Sequence, residues 1–302
     1  MATLYTHAES NTRKTFLYLT FFLLLIIGLG WLFSYIYDSL GILIFAVFLS
    51  ILMSFGSYWY SDKIVLGMAG AKPIEKKDNP ELYRIVENLC IAAGLPLPKI
   101  YIMEEAQPNA FATGRDKNHA VVAVTRGILE KLNRAELEGV IAHEMAHIGN
   151  KDILLGTIIV ILVGIVTILS NIFLRASYWG GMGRDRRDSK GSAGLIFLIL
   201  GIAAAILAPI AATLIQLAIS RKREFLADAS GVLLTRYPEG LASALEKISA
   251  DSNPLRTAND STAHLYIQNP FRGRGASSWI HKIFVTHPPI EERIAALRDM
   301  KV

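Results

Sequence analysis

Four stretches of this chain, residues 16–36, 40–59, 153–174 and 195–219, contain no Asp, Glu, Lys or Arg, and each is about 20 residues or longer. As helices rising about 1.5 Å per residue, they match a hydrocarbon core about 30 Å thick. A buried core helix would explain an apolar run, but not the complete absence of charge over such lengths. The first stretch is longer than a signal-peptide core, lacks a small-residue cleavage site and is followed by a second span, so it is expected to be retained. The expectation is an integral membrane protein with four transmembrane helices. Asp38-Ser39 leaves only a tight connection between the first two.

The spans divide the chain. Residues 1–59 are an N-terminal tail and membrane hairpin, and 60–152 a first extramembrane part. Residues 153–219 are a second hairpin with a polar loop at 175–193, and 220–302 a second extramembrane part. Four crossings put the N-terminus and both extramembrane parts on one face. Near the span ends that face carries eight basic residues: Arg13, Lys14, Lys63, Lys72, Lys151, Arg221, Lys222 and Arg223. The other has five: Arg175, Arg184, Arg186, Arg187 and Lys190. The positive-inside rule then places the extramembrane parts in the cytoplasm. A net charge of +5 suits anionic lipid headgroups and gives no case for nucleic acid, since no basic stripe interleaved with aromatics is present. The single cysteine, Cys90, excludes an intrachain disulfide.

Outside the apolar stretches the reading is α+β and mostly helical. Asn79-Pro80-Glu81 starts a helix as cap, first-turn proline and first-turn acid, and Gly94 ends it. Residues 100–103 form a short strand. The stretch NAFATGRDKNHAVVAVT reads as strand 110–113, turn 114–118 and strand 120–125. A helix begins at Arg134, where Asn133 and Glu136 stand at capping-box spacing, and Gly149 is its expected stop. Pro288-Pro289 opens the last helix, with Glu291 and Glu292 in its first turn.

The helix from Arg134 carries HEMAH. His143 and His147 are four apart, so their imidazoles share a face one turn apart. That spacing suits two nitrogen ligands of one zinc ion, with the intervening Glu144 as general base of a metalloprotease. At about 100° per residue, Leu137, Val140, Ile141 and Ile148 form an apolar stripe. Glu144 falls in its middle and the histidines along its edge. A carboxylate there is costly unless a partner or a task offsets it. Ala135, Gly139, Ala142 and Ala146 line another side, open to close approach by a neighbour.

Catalytic zinc takes a third protein ligand and keeps one position for water. SRKREFLADASG, residues 220–231, leaves the last apolar stretch directly, and Glu224 and Asp228 again share a helix face. One of these carboxylates is placed to bind zinc, and the other to accept the free N–H of a liganding imidazole.

HEMAH, EFLAD, NAFATG (109–114) and THPP (286–289) together resemble the HtpX-type heat-shock membrane metalloproteases, which belong with the zinc peptidases that include the eukaryotic CAAX prenyl proteases. The resemblance runs over nearly the whole chain. It implies a gluzincin-like zinc-peptidase domain holding one Zn2+ through His143, His147 and Glu224, with Glu144 as base and Asp228 supporting a liganding histidine. It further implies a bacterial cytoplasmic (inner) membrane location and degradation of damaged, misfolded or unassembled membrane proteins in quality control.

NAFATG resembles the family stretch near the substrate cleft. Asn109, Ala110, Phe111 and Ala112 either present backbone groups to an extended peptide or form an ordinary hairpin arm. His287 either reaches the site to stabilise an oxyanion or locks a helix start. Two other functions fit parts of the pattern. One is CAAX-like processing of a defined peptide, which the short four-span layout disfavours. The other is a non-enzymatic membrane scaffold with a structural zinc, which the scarcity of cysteine disfavours.

Overall fold

The computed structural model describes residues 4–36, 38–165, 168, 221–253, 255–257, 262–268 and 288–300. Two apolar helices open the chain, α1 (Leu4–Ile36) and α2 (Leu40–Trp59). By length and composition Ser10–Tyr35 and Leu40–Trp59 suffice to cross a membrane, with mean hydropathies of 2.4 and 2.3. Phe16, Leu24, Phe45, Phe48 and Leu52 on them are more than half exposed, as lipid-facing side chains are. Between the two helices Asp38 takes a left-handed conformation (φ 48°) and the Ser39 N–H bonds the Ser34 carbonyl. The helix of the first span starts well before residue 16, because the polar residues ahead of it continue the same α1.

Of the two further expected spans, the third is described up to residue 165, as α7 (Asp152–Ile165). There Leu155, Ile158, Ile159 and Leu162 pack against Tyr18, Phe22 and Ile26 of α1. The fourth lies outside the described residues.

Between α2 and α7 lies a small sheet framed by helices. After α3 (Ser61–Ala69) the chain forms β1 (Lys72–Pro73), α4 (Pro80–Ala93), β2 (Lys99–Met103), β3 (Ala110–Gly114), β4 (Ala120–Thr125), α5 (Arg126–Lys131) and α6 (Arg134–Gly149). Asn79 caps α4 by accepting the Leu82 N–H, and Gly94, at φ 63°, closes it. The strand order is β1-β2-β4-β3. β4 runs parallel to β2, with Tyr101 opposite Ala123, and antiparallel to β3, with Phe111 opposite Ala123. Its sequence AVVAVT is buried throughout, which suits the β-branched run of a central strand. α3, β1 and α5 are too short for their periodicity to stand out in the sequence.

The capping box of α6 is complete: Asn133 accepts the Glu136 N–H while the Glu136 carboxylate accepts the Asn133 N–H. The expected stripe of Leu137, Val140, Ile141 and Ile148 is buried, and α4, α8 (Arg221–Thr235), α9 (Pro238–Ala250) and β3 pack around the helix. One feature of α6 departs from expectation: Gly149 does not supply a left-handed stop. It is the last helical residue, Asn150 caps the helix, and Lys151 takes the positive φ (57°) before α7 leaves at 84°.

The small-residue side of α6 does receive close neighbours. A Cβ on Gly139 would lie 2.7 Å from the Leu241 nitrogen of α9, and one on Gly231 of α8 would lie 3.0 Å from the His143 nitrogen. α10 (Ile290–Arg298) closes the described part of the fold against α8 and α9. One apolar core holds Leu89, Val122 and Met145 together with Val232, Leu245 and Leu297.

Candidate active site

HEMAH occupies the last two turns of α6 and EFLAD the first two of α8, and the close passage at Gly231 brings these helices face to face. His143 and His147 approach each other Nε2 to Nε2 at 3.2 Å. The Glu224 carboxylate lies 3.9 Å from His143 Nε2 and 3.8 Å from His147 Nε2. One ligand atom from each of the three residues lies within 4.8 Å of the others.

The outer nitrogens decide what the inner ones present. His143 Nδ1 is 2.9 Å from Asp228 Oδ1, and His147 Nδ1 is 3.0 Å from Asp152 Oδ2. An ionised carboxylate only accepts, so each Nδ1 carries the proton and each Nε2 turns a lone pair inward. Two imidazole lone pairs and a carboxylate converging on one point form a set of acceptors that calls for a cation. Tetrahedral zinc with bonds of about 2.0–2.1 Å sets its ligand atoms about 3.3 Å apart, close to the spacings here. These residues therefore fit a zinc ion.

The electrostatics agree. Burial pulls the His147 pKa down, yet the hydrogen bond to Asp152 and the Glu224 charge outweigh it and lift it to about 9. This point in the structure favours positive charge, which a metal supplies in competition with the proton. For His143 burial prevails over the help of Asp228, and its pKa is lowered. Glu144 is buried beside the set. Burial, reinforced by Glu224 and opposed by His147, raises its carboxyl to about 7, and it accepts the Ala112 N–H.

Two residues that the motifs did not reveal complete the surroundings. Arg293 of α10, fully buried, clamps Asp228 with Nε to Oδ2 at 2.8 Å and Nη2 to Oδ1 at 2.6 Å, and its Nη1 is 3.7 Å from Glu224. A signal existed, since Ile290, Arg293 and Leu297 repeat at helical spacing and share the buried face. Asp152, at the start of α7, holds His147. It also takes a 2.6 Å hydrogen bond from Asn11 Nδ2 on α1 and lies 3.8 Å from Arg223. No sequence pattern links position 11 to position 152.

The expected substrate stretch is β3, at the sheet edge. Asn109 is fully buried; its amide N–H reaches the Gln268 carbonyl at 3.0 Å, and its oxygen accepts the Ala110 N–H. The Ile267 N–H bonds the Ala110 carbonyl. Because Asn109 pairs with Thr125 of β4, the alternate residues Ala110 and Ala112 direct their backbone groups away from the sheet, Ala112 toward Glu144. His287 lies outside the described residues.

Comparison with known proteins places this arrangement. The chain is 46% identical over 302 residues to a "Protease HtpX homolog" of Caldanaerobacter subterraneus subsp. tengcongensis, covering 99% of each. It is 45% identical over 297 residues to a "Protease HtpX homolog" of Tropheryma whipplei, covering 98% of each. A crystal structure of S. mikatae Ste24p is similar with a TM-score of 0.49 at 20% identity, over 89% of this chain and 62% of that one. The model of peptidase family M48 matches residues 76–301, so that both halves of the site fall within it. The chain belongs to peptidase family M48, and it is a membrane metalloprotease.

Proposed function

We propose that the protein is a zinc-dependent endopeptidase of the bacterial inner membrane. In this reading it cuts damaged, misfolded or unassembled membrane proteins at the cytoplasmic surface. The observation that carries it is the convergence of His143 Nε2, His147 Nε2 and a Glu224 oxygen beside the buried Glu144. His143, His147 and Glu224 hold one zinc ion, and Asp228 and Asp152 fix the tautomers of the two histidines. Zinc, when bound there, supplies a Lewis acid that polarises a carbonyl and lowers the pKa of water.

Glu144 is the base. It takes a proton from the attacking water and returns it to the leaving amine, a role suited to a carboxyl raised toward neutrality. The outward carbonyl of Ala112, whose N–H goes to Glu144, offers an extended substrate an acceptor at the strand edge next to that base, and Asn109 secures the start of the strand by tying it to the 262–268 segment. Phe111 supports the edge from below by packing against Tyr266, ring centroids 5.3 Å apart. His287 directly precedes Pro288 and α10, the helix that brings Arg293 to Asp228. In this reading His287 stabilises the oxyanion of the scissile carbonyl.

The membrane arrangement is four spans. The catalytic domain is built from residues 60–152 and 220–302 around the hairpin 153–219 with its loop 175–193, and residues 1–59 form the first hairpin. The core shared by α4, α6, α8 and α9 supports joining the two parts, and the excess of basic residues supports the cytoplasmic side.

Purified full-length protein in detergent, given an unfolded membrane protein and zinc, should cleave it and stop on addition of chelator. Glu144→Gln should lower the rate by about 10²–10⁴-fold while zinc content stays at one per chain. Cleavage by that variant at the unaltered rate would refute the base assignment, and chelator-resistant cleavage the metal reading.

A further inference from the structure

A pocket of about 510 Å³ opens at the end of α2, away from the zinc-ligand set, lined by Phe55, Trp59, Tyr60, Asp62, Lys63, Lys99, Arg115 and His119. We propose that it binds the phosphate headgroup of an anionic phospholipid, with the acyl chains running along α2. The proposal rests on α2 as a membrane span and is independent of the zinc chemistry.

Three cationic side chains face one carboxylate in this lining. Arg115 is held in place: its guanidinium stacks on the Trp59 ring at 4.6 Å, Nη1 reaches the Trp59 carbonyl at 3.5 Å, and Nη2 meets His119 Nε2 at 2.6 Å. Arginine only donates, so His119 Nε2 accepts and its Nδ1–H goes to Asp116 at 2.8 Å. Asp116, 3.5 Å from Arg115 Nε, is occupied with these two neighbours. Lys63 lies over the Tyr60 ring at 5.3 Å. Both Lys63 and Lys99 are exposed, and neither takes part in an ion pair among the described residues. Two exposed ammonium groups beside a fixed guanidinium suit a phosphate.

The aromatic wall selects the source of that phosphate. Phe55, Trp59 and Tyr60 are 59%, 44% and 53% exposed at the end of a helix apolar enough to span a bilayer, where amphipathic rings sit at headgroup level. A lipid satisfies both walls at once. Free phosphate leaves the rings unused, and phosphatidylcholine brings its own cation against the lysines.

The test titrates full-length protein in neutral detergent with phosphatidylglycerol, phosphatidylcholine or inorganic phosphate, and reads bound lipid by native mass spectrometry. Phosphatidylglycerol should be retained and phosphatidylcholine should not. The Lys63→Gln, Lys99→Gln double variant should bind phosphatidylglycerol about tenfold or more weakly with an unchanged melting temperature, since both lysines lose their attraction to the anionic headgroup. Equal retention of phosphatidylcholine, undiminished binding by the double variant, or displacement of the lipid by an equal concentration of inorganic phosphate would each overturn the proposal. Loss of proteolysis leaves all three readouts intact, so this test and that of the zinc reading fail separately.

Discussion

Asp228 serves two neighbours at once. Its Oδ1 faces the His143 Nδ1–H and an Arg293 N–H, and its Oδ2 takes a second Arg293 N–H, all at about 1% exposure. Burial alone would raise this carboxyl, but the Arg293 charge and the hydrogen bonds from both partners bring it down to about 2. A carboxyl depressed on folding stabilises the protein above its unfolded value, 3.8, and loses that contribution as the pH falls toward about 2. Asp228→Asn removes the carboxylate that clamps the buried Arg293 guanidinium and leaves it only the more distant Glu224, so unfolding should become easier by about 3 kcal/mol at neutral pH. In denaturant titrations the gap to wild type should hold from pH 8 to about pH 4 and narrow below it; a gap that widens on acidification would contradict the pairing. The Glu224–Asp228 spacing was legible because it repeats within one helix. The pairing with Arg293 was not, because its partner stands 65 residues away, even though helical spacing puts Arg293 on the buried face of α10.

At the scale of elements, local rules reached as far as local causes do. The caps of α4, the N-terminal capping box of α6, the 120–125 strand and the Pro-Pro opening of α10 are set by neighbours in sequence, and the structure has them where the residues put them. The stripe on α6 is buried as its period implies, and the small-residue side is packed as well, so α6 is enclosed on several faces. α1 was read short because charge marks where lipid ends, but a helix continues through it. That extension has a consequence, since it carries Asn11 to Asp152 and so to His147. Asp152→Asn should weaken zinc binding by about 10–100-fold, the usual effect of removing a carboxylate behind a liganding histidine. Asn11→Ala should weaken it in the same direction and by less. Competition with a chromophoric chelator measures both, and a shifted absorption band in the cobalt-substituted variants would report altered ligand geometry directly. Wild-type affinity in Asp152→Asn would mean that the His147 tautomer is set by another group.

For the whole molecule, the decisive constraint is that the chain leaves and re-enters the site at nearly the same place. α7 begins at Asp152 and α8 at Arg221, yet Arg223 lies 3.8 Å from Asp152, and Gly231 packs on the backbone of His143. In the proposed arrangement both ends of this excursion lie on one side of the membrane, which requires an even number of crossings between them. Residues 153–174 and 195–219 hold enough uncharged sequence for two. The first hairpin obeys the same parity, because the polar start of α1 and the end of α2 both meet the catalytic domain, Asn11 at Asp152 and the Trp59 carbonyl at Arg115. Single cysteines placed in a Cys90→Ser background test this with a membrane-impermeant thiol reagent on intact cells. Cysteines at Asp38 and Arg184 should label from outside, and those at Lys77 and Glu239 only after lysis. Labelling at Arg184 that also requires lysis would replace the second hairpin with a re-entrant one. It would leave the zinc-ligand set untouched, because that set needs only that the two ends of the excursion return to the same side.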